Sequence, residues 1–175
     1  VIVNSEQERR GRARHRALLA LFYYGPLVLW ALVIGTLSTS AGSRETSFGI
    51  LVRTLQQFAP DLISSFSAEN LGQLDYAFRK FAHFAQYLVL TLLAVRALQF
   101  GRSRLRWQSV IAGLAGSVLF AAGDEANQML HPSRSPSVYD VLLDAAGSTT
   151  AASLVVLWAG IKALERRLRE KTEIP

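Results

Sequence analysis

The chain contains no cysteine. That excludes a disulfide framework and any thiolate metal site, and it leaves the compartment unreadable from thiol usage. An HExxH pattern, a paired-histidine arrangement and a glycine-rich phosphate cradle are also lacking, so no familiar metallohydrolase or nucleotide site is written here. No cleavable signal peptide is expected. The first sixteen residues are too polar and basic to serve as its apolar part, and the run behind them is long and lacks a clear small-x-small exit. The formal net charge is +6, yet no aromatic side chains interleave the basic ones as a nucleic-acid surface would require, so nucleic acid is not an expected partner.

What is present is a clustered distribution of apolar residues. The chain has 175 residues, half of them apolar, a size that would suit one soluble domain. Most of the apolar residues, however, fall into four long blocks separated by short charged or Gly-, Pro- and Ser-containing joints. A helix needs about 20 residues to cross the hydrocarbon core. Ala17 to Leu37 is long enough, with a kink expected at Gly25-Pro26. Phe78 to Phe100, the segment opening at Trp107, and Val138 to about Trp158 supply three more spans. The expected fold is all-α and polytopic, with four transmembrane helices. Residues 1–16 form a basic, mobile tail, 17–163 the membrane domain, and 164–175 a second basic tail. The loop 40–76 carries short interfacial or re-entrant helices, one over Phe48 to Phe58 stopped by Pro60, and a second from Asp61 to Phe66.

Lys and Arg concentrate in the N-terminal tail, the joint 101–106 and the C-terminal tail. With four spans all three lie on one side, which the positive-inside rule places in the cytoplasm. Both termini are then expected in the cytoplasm of a bacterial plasma membrane, with the remaining polar residues at the outer leaflet.

Those polar residues form a constellation. Lys80, His83 and Tyr87 are three and four apart and share one helical face. In span three Gly113, Ser117 and Ala121 make a small-residue stripe that Glu125 continues. Asp124 is four residues from Gln128 on a neighbouring line. Because Asp124 and Glu125 are adjacent, only one of them is expected to face a ligand squarely. Carboxylates at a helix C-terminus are unfavourable, so a cation is expected nearby: Arg134, Arg79, Lys80 or a divalent metal. Ser137 is placed to N-cap span four, with Asp140 in its first turn. Asp140, Asp144, Gly147 and Ala151 then follow one stripe, and Asp144 lies a turn too deep for helix-end electrostatics to explain it. Arg134 suits bidentate phosphate recognition.

The pieces Lys80-Phe81-Ala82-His83-Phe84 with Tyr87, Asp124-Glu125-x-x-Gln128, Pro132-Ser133-Arg134, Asp140 and Gly147 resemble the VanZ-like family. The match covers Lys80 to Gly147, and the first span agrees in placement. The resemblance implies a small multi-span bacterial membrane protein associated with resistance to lipoglycopeptides such as teicoplanin; it supplies no agreed reaction. Two positions depart from the family pattern. Asp144 stands where Asn is usual, which adds negative charge to the cluster, and Ala151 stands where a second Gly is usual.

Three function classes fit these residues. The leading one is an outward-facing site for an anionic headgroup, formed by Lys80, His83, Tyr87, Asp124, Glu125, Gln128, Arg134, Asp140 and Asp144. Its ligands would be membrane lipids, cell-wall lipid intermediates or a lipoglycopeptide. The second is a membrane-embedded hydrolase or transferase acting on such headgroups, with His83, Glu125 or Asp124 as catalytic candidates and a divalent cation as an admissible cofactor. The run Ser133-Arg134-Ser135-Pro136-Ser137-Val138-Tyr139-Asp140 is similar to a lipid-phosphatase motif but lacks the histidine of the covalent step. The third is a small transporter, against which the acids cluster at one face rather than at the midplane.

Overall fold

A computed structural model describes residues 2–39, 44–130 and 137–172. Among them lie six helices and no strand: α1 (Ile2–Leu37), α2 (Arg44–Phe58), α3 (Pro60–Ser64), α4 (Ala68–Gln99), α5 (Trp107–Gln128) and α6 (Val138–Thr172). Four of these, α1, α4, α5 and α6, are long and apolar enough to cross a membrane.

Element identities match the apolar pattern, but several boundaries move. The residues expected as a mobile tail continue α1 as helix from Ile2, and the C-terminal segment likewise extends α6 to Thr172. α4 begins ten residues earlier than expected, because Ser67 caps it: its side-chain oxygen accepts from Asn70 N at 3.2 Å. The last part of the 40–76 loop is therefore helix. Pro60 opens α3 rather than merely stopping α2, since its missing N–H is one that a helix start leaves unpaired anyway.

α4, α5 and α6 pack against one another, and α1 packs chiefly on α4. Small residues set the spacing. A Cβ on Gly113 would stand 2.7 Å from Val95 Cγ2 and 3.2 Å from its backbone N. One on Gly147 would meet the Phe84 carbonyl oxygen and lie 3.3 Å from Leu88 N. Ile34, Tyr87, Leu90 and Ala121 form one buried cluster, with Leu27, Trp30 and Ala31 against it; Val95, Val110 and Ala152 form another.

α1 runs unbroken through Pro26. Proline removes the N–H that would serve the carbonyl four residues earlier, which is Phe22, and Arg96 of α4 donates to that oxygen at 3.0 Å. The guanidinium also lies over the Phe22 and Tyr23 rings, 4.6 and 5.1 Å from their centroids. At the same end Phe100 terminates α4 in the left-handed region (φ 43°) and packs on Tyr23, followed by Gly101 at φ 73°. A side chain at Gly101 would meet the Tyr23 hydroxyl at 2.7 Å. Nearer the other end Trp30 Nε1 donates to Gln86 O at 2.9 Å.

Candidate functional site

The polar residues converge where α1 ends, α4 begins, α5 ends and α6 begins. Between α4 and α6 they form two rungs. Lys80 Nζ bonds Asp140 Oδ1, and one turn deeper His83 Nδ1 lies 3.3 Å from Asp144 Oδ1. The spacing explains the pairing: residues three apart on α4 and four apart on α6 each advance about one turn along facing helices. His83 Nδ1 and Asp144 Oδ1 are both buried, and their approach lacks hydrogen-bond alignment. Asp144 is 1 % exposed and Asp140 7 %. These carboxylates are thus inside the bundle, as their stripe predicts.

On α5 the adjacent acids take different partners, as expected for neighbours on a helix. Gln128 Nε2 donates to Asp124 Oδ2 at 3.2 Å, while Glu125 Oε1 accepts from the Ser137 backbone N–H. That bond ties the end of α5 to the start of α6. Ser137 also caps α6, its Oγ accepting from Tyr139 N at 3.2 Å. Both acids are buried and so is Gln128. Tyr87 is fully buried, and its hydroxyl has no hydrogen-bond partner among the described residues. Arg134, with the rest of 131–136, lies outside the described residues.

No three His, Asp or Glu side chains among the described residues are grouped to hold a metal ion. What the site does contain is a cavity of about 160 Å³ between α1, α2 and α4, lined by Ser38, Ser47, Arg79, His83 and Gln86 among others. At roughly 30 Å³ per liquid water it has room for about five waters, more than a phosphate group needs. His83 therefore sits between Asp144 on one side and this cavity on the other. Arg79 makes no ion pair among the described residues.

Sequence reasoning placed Arg79 only as a span-end charge and a possible partner for the span-three acids, and it missed Ser38, Ser47, Gln86 and Asp75. Asp75 is 1 % exposed and accepts from Ser47 Oγ at 3.1 Å, pinning α2 to α4. Its position one turn N-terminal to Arg79 was the available signal, obscured by starting the span at Phe78. Lower in the bundle Thr91, Ser117 and Ser148 are buried hydroxyls without partners among the described residues. The more exposed Thr149 and Thr150 bond back to their own helix instead, at 2.8 Å each.

Four apolar helices around a buried polar cluster at one end define a multi-pass membrane protein. A family model described as VanZ/LLP1 matches residues 20–159, and the chain belongs to that family of bacterial membrane proteins. Comparison with curated proteins finds no match, and comparison with solved structures finds none either.

Proposed function

We propose that the cavity beside Arg79 and His83 binds the phosphate headgroup of an anionic lipid, either a phospholipid or a cell-wall lipid intermediate, presented from the outer leaflet. One observation carries this: Arg79, a cation with no ion-pair partner among the described residues, lines a cavity with room for a phosphate, together with His83 and two serines. Asp140 holds Lys80 behind it and Asp144 lies beside His83, and Arg134 is proposed as a second cation for the same headgroup. The outward orientation rests on the basic segments 1–16, 101–106 and 164–175, which belong to the opposite end. Protection against lipoglycopeptides then follows from occupancy of the lipid, or of the drug's own lipid-bearing region, or from altered surface composition.

The His83–Asp144 pair favours a second reading, a hydrolase. An aspartate behind an imidazole that faces a ligand cavity can support general-base action. His83 would take a proton from the water attacking phosphorus, the bond from phosphorus to the leaving alcohol would break, and that alcohol would take the proton back.

Native-lipid mass spectrometry of the purified protein tests the first reading. Wild type should retain an anionic lipid that Arg79→Gln loses. If wild type and variant carry the same lipids, the headgroup reading fails. Incubating the retained lipid with the protein, with and without divalent ions, separates the two readings. Headgroup release that His83→Gln abolishes establishes the hydrolase.

A further inference from the structure

Because α1 leans on α4, it leaves a groove between itself and α5. Toward the C-terminal end of α1 the groove measures about 520 Å³, bounded by Leu27, Ala31, Gly35 and Thr39 of α1 and by Phe120 of α5. A deeper part of about 320 Å³ shares Leu27, Ala31 and Phe120 and is floored by Leu90 and Leu98 of α4. The lining is apolar except for the Ser117 hydroxyl in the deeper part and two threonines near the mouth. These threonines turn their hydroxyls back onto the helix, Thr36 to Val33 O at 2.8 Å and Thr39 to Thr36 O at 2.7 Å.

Two dimensions indicate the occupant. From Leu27 to Thr39 the α1 wall rises about 18 Å at 1.5 Å per residue, close to the roughly 15 Å depth of one hydrocarbon leaflet. An equal length of helix about 10 Å across fills roughly 1,400 Å³, well over the two parts of the groove together, whereas a single hydrocarbon chain, far thinner, fits within it. The groove also opens at the turn that borders the headgroup cavity: Thr36 and Thr39 line the groove, Leu37 and Ser38 the cavity.

We propose that the groove between α1 and α5 holds one acyl chain of the same anionic glycerophospholipid whose phosphate occupies the Arg79–His83 cavity. The glycerol crosses the last turn of α1, and the ligand enters sideways from the leaflet on that side. This rests on the headgroup reading above. In a bilayer the chain gains no hydrophobic energy by leaving its neighbours, so the groove acts on chain position rather than on affinity.

The test uses the full chain in nanodiscs with phosphatidylglycerol carrying a mid-chain diazirine, beside phosphatidylcholine carrying the same chain, and maps the adducts by mass spectrometry. Phosphatidylglycerol should label Ala31, Leu32 and Phe120 at least fivefold more than the lipid-facing Leu154 and Leu157. A Cβ at Gly35 meets nothing within 4 Å and Gly35 lines the groove, so Gly35→Leu narrows it. It should lower that labelling at least fivefold while water-soluble dihexanoyl phosphatidylglycerol still binds. Arg79→Gln should remove the preference over phosphatidylcholine. Even labelling around the bundle, with the preference still dependent on Arg79, overturns the groove and spares the headgroup reading. Equal labelling by both lipids, indifferent to Arg79→Gln, overturns both. Cross-linking of Ala31→Cys to a second copy of the chain assigns the groove to a protein interface and overturns the proposal.

Discussion

Replacing Gly147 by alanine should destabilise the protein although alanine is the better helix former. In a helix interior the exchange ordinarily gains about 1 kcal/mol. At Gly147 the new methyl meets the Phe84 carbonyl oxygen, and it stands 3.1 Å from Phe84 C and 3.3 Å from Leu88 N. These are backbone atoms, so no rotamer change relieves the contact and α4 and α6 must separate. Overpacking costs about 1–3 kcal/mol, and a rigid backbone obstacle belongs at the upper end, leaving a net loss of about 2 kcal/mol. For a chain of this length that is a fall of roughly 4–8 °C in the unfolding midpoint. Gly116→Ala is the control, because its Cβ meets nothing within 4 Å; it should raise the midpoint or leave it unchanged. Thermal unfolding of both variants in one detergent, followed by circular dichroism, decides the matter. If the two shift in the same direction, the close approach of α6 to α4 is not what holds the bundle together.

Two further variants probe the interior. Arg96→Ala should cost about 1.5–3 kcal/mol, the range for a hydrogen bond to a charged donor. The cost should shrink in a Pro26→Ala background, where the restored N–H can serve Phe22 O; additive losses in that double-mutant cycle would show that Arg96 does not serve this carbonyl. Thr91→Val removes a buried hydroxyl that has no partner among the described residues and keeps the side chain's shape. It should leave the unfolding midpoint unchanged or raise it, and a fall of several degrees would reveal a hydrogen bond to a bound group.

The four spans and their polar end were legible because burial in a bundle imposes a period that survives in the sequence. Glu125 continues the stripe Gly113, Ser117 and Ala121, and all four are buried. Asp140, Asp144, Gly147 and Ala151 share a second buried stripe. Helix ends were less legible. The segment from Ala68 to Ala77 is too polar to read as a span, yet Ser67 caps it and Asp75 is buried against α2. Which cation meets which acid was not readable either. Lys80 and Asp140 are sixty residues apart, and only the close approach of α4 and α6 selects that pair over Asp124 or Glu125. The cavity beside Arg79 depended on α2 folding back over α4, a placement that no periodicity encodes.

The two rungs between α4 and α6 also bear on how the protein is made. A span carrying an aspartate at its centre enters the bilayer at a penalty of about 2.5–3.5 kcal/mol on the translocon scale. α6 carries two near one end, and in the finished bundle neither faces lipid. The groups that receive them, Lys80 and His83, lie on α4 and emerge from the ribosome earlier. The last span therefore finds the partners of its acids on a helix synthesised before it. A chain that loses α4 should leave the two aspartates of α6 without these partners and α6 loosely held.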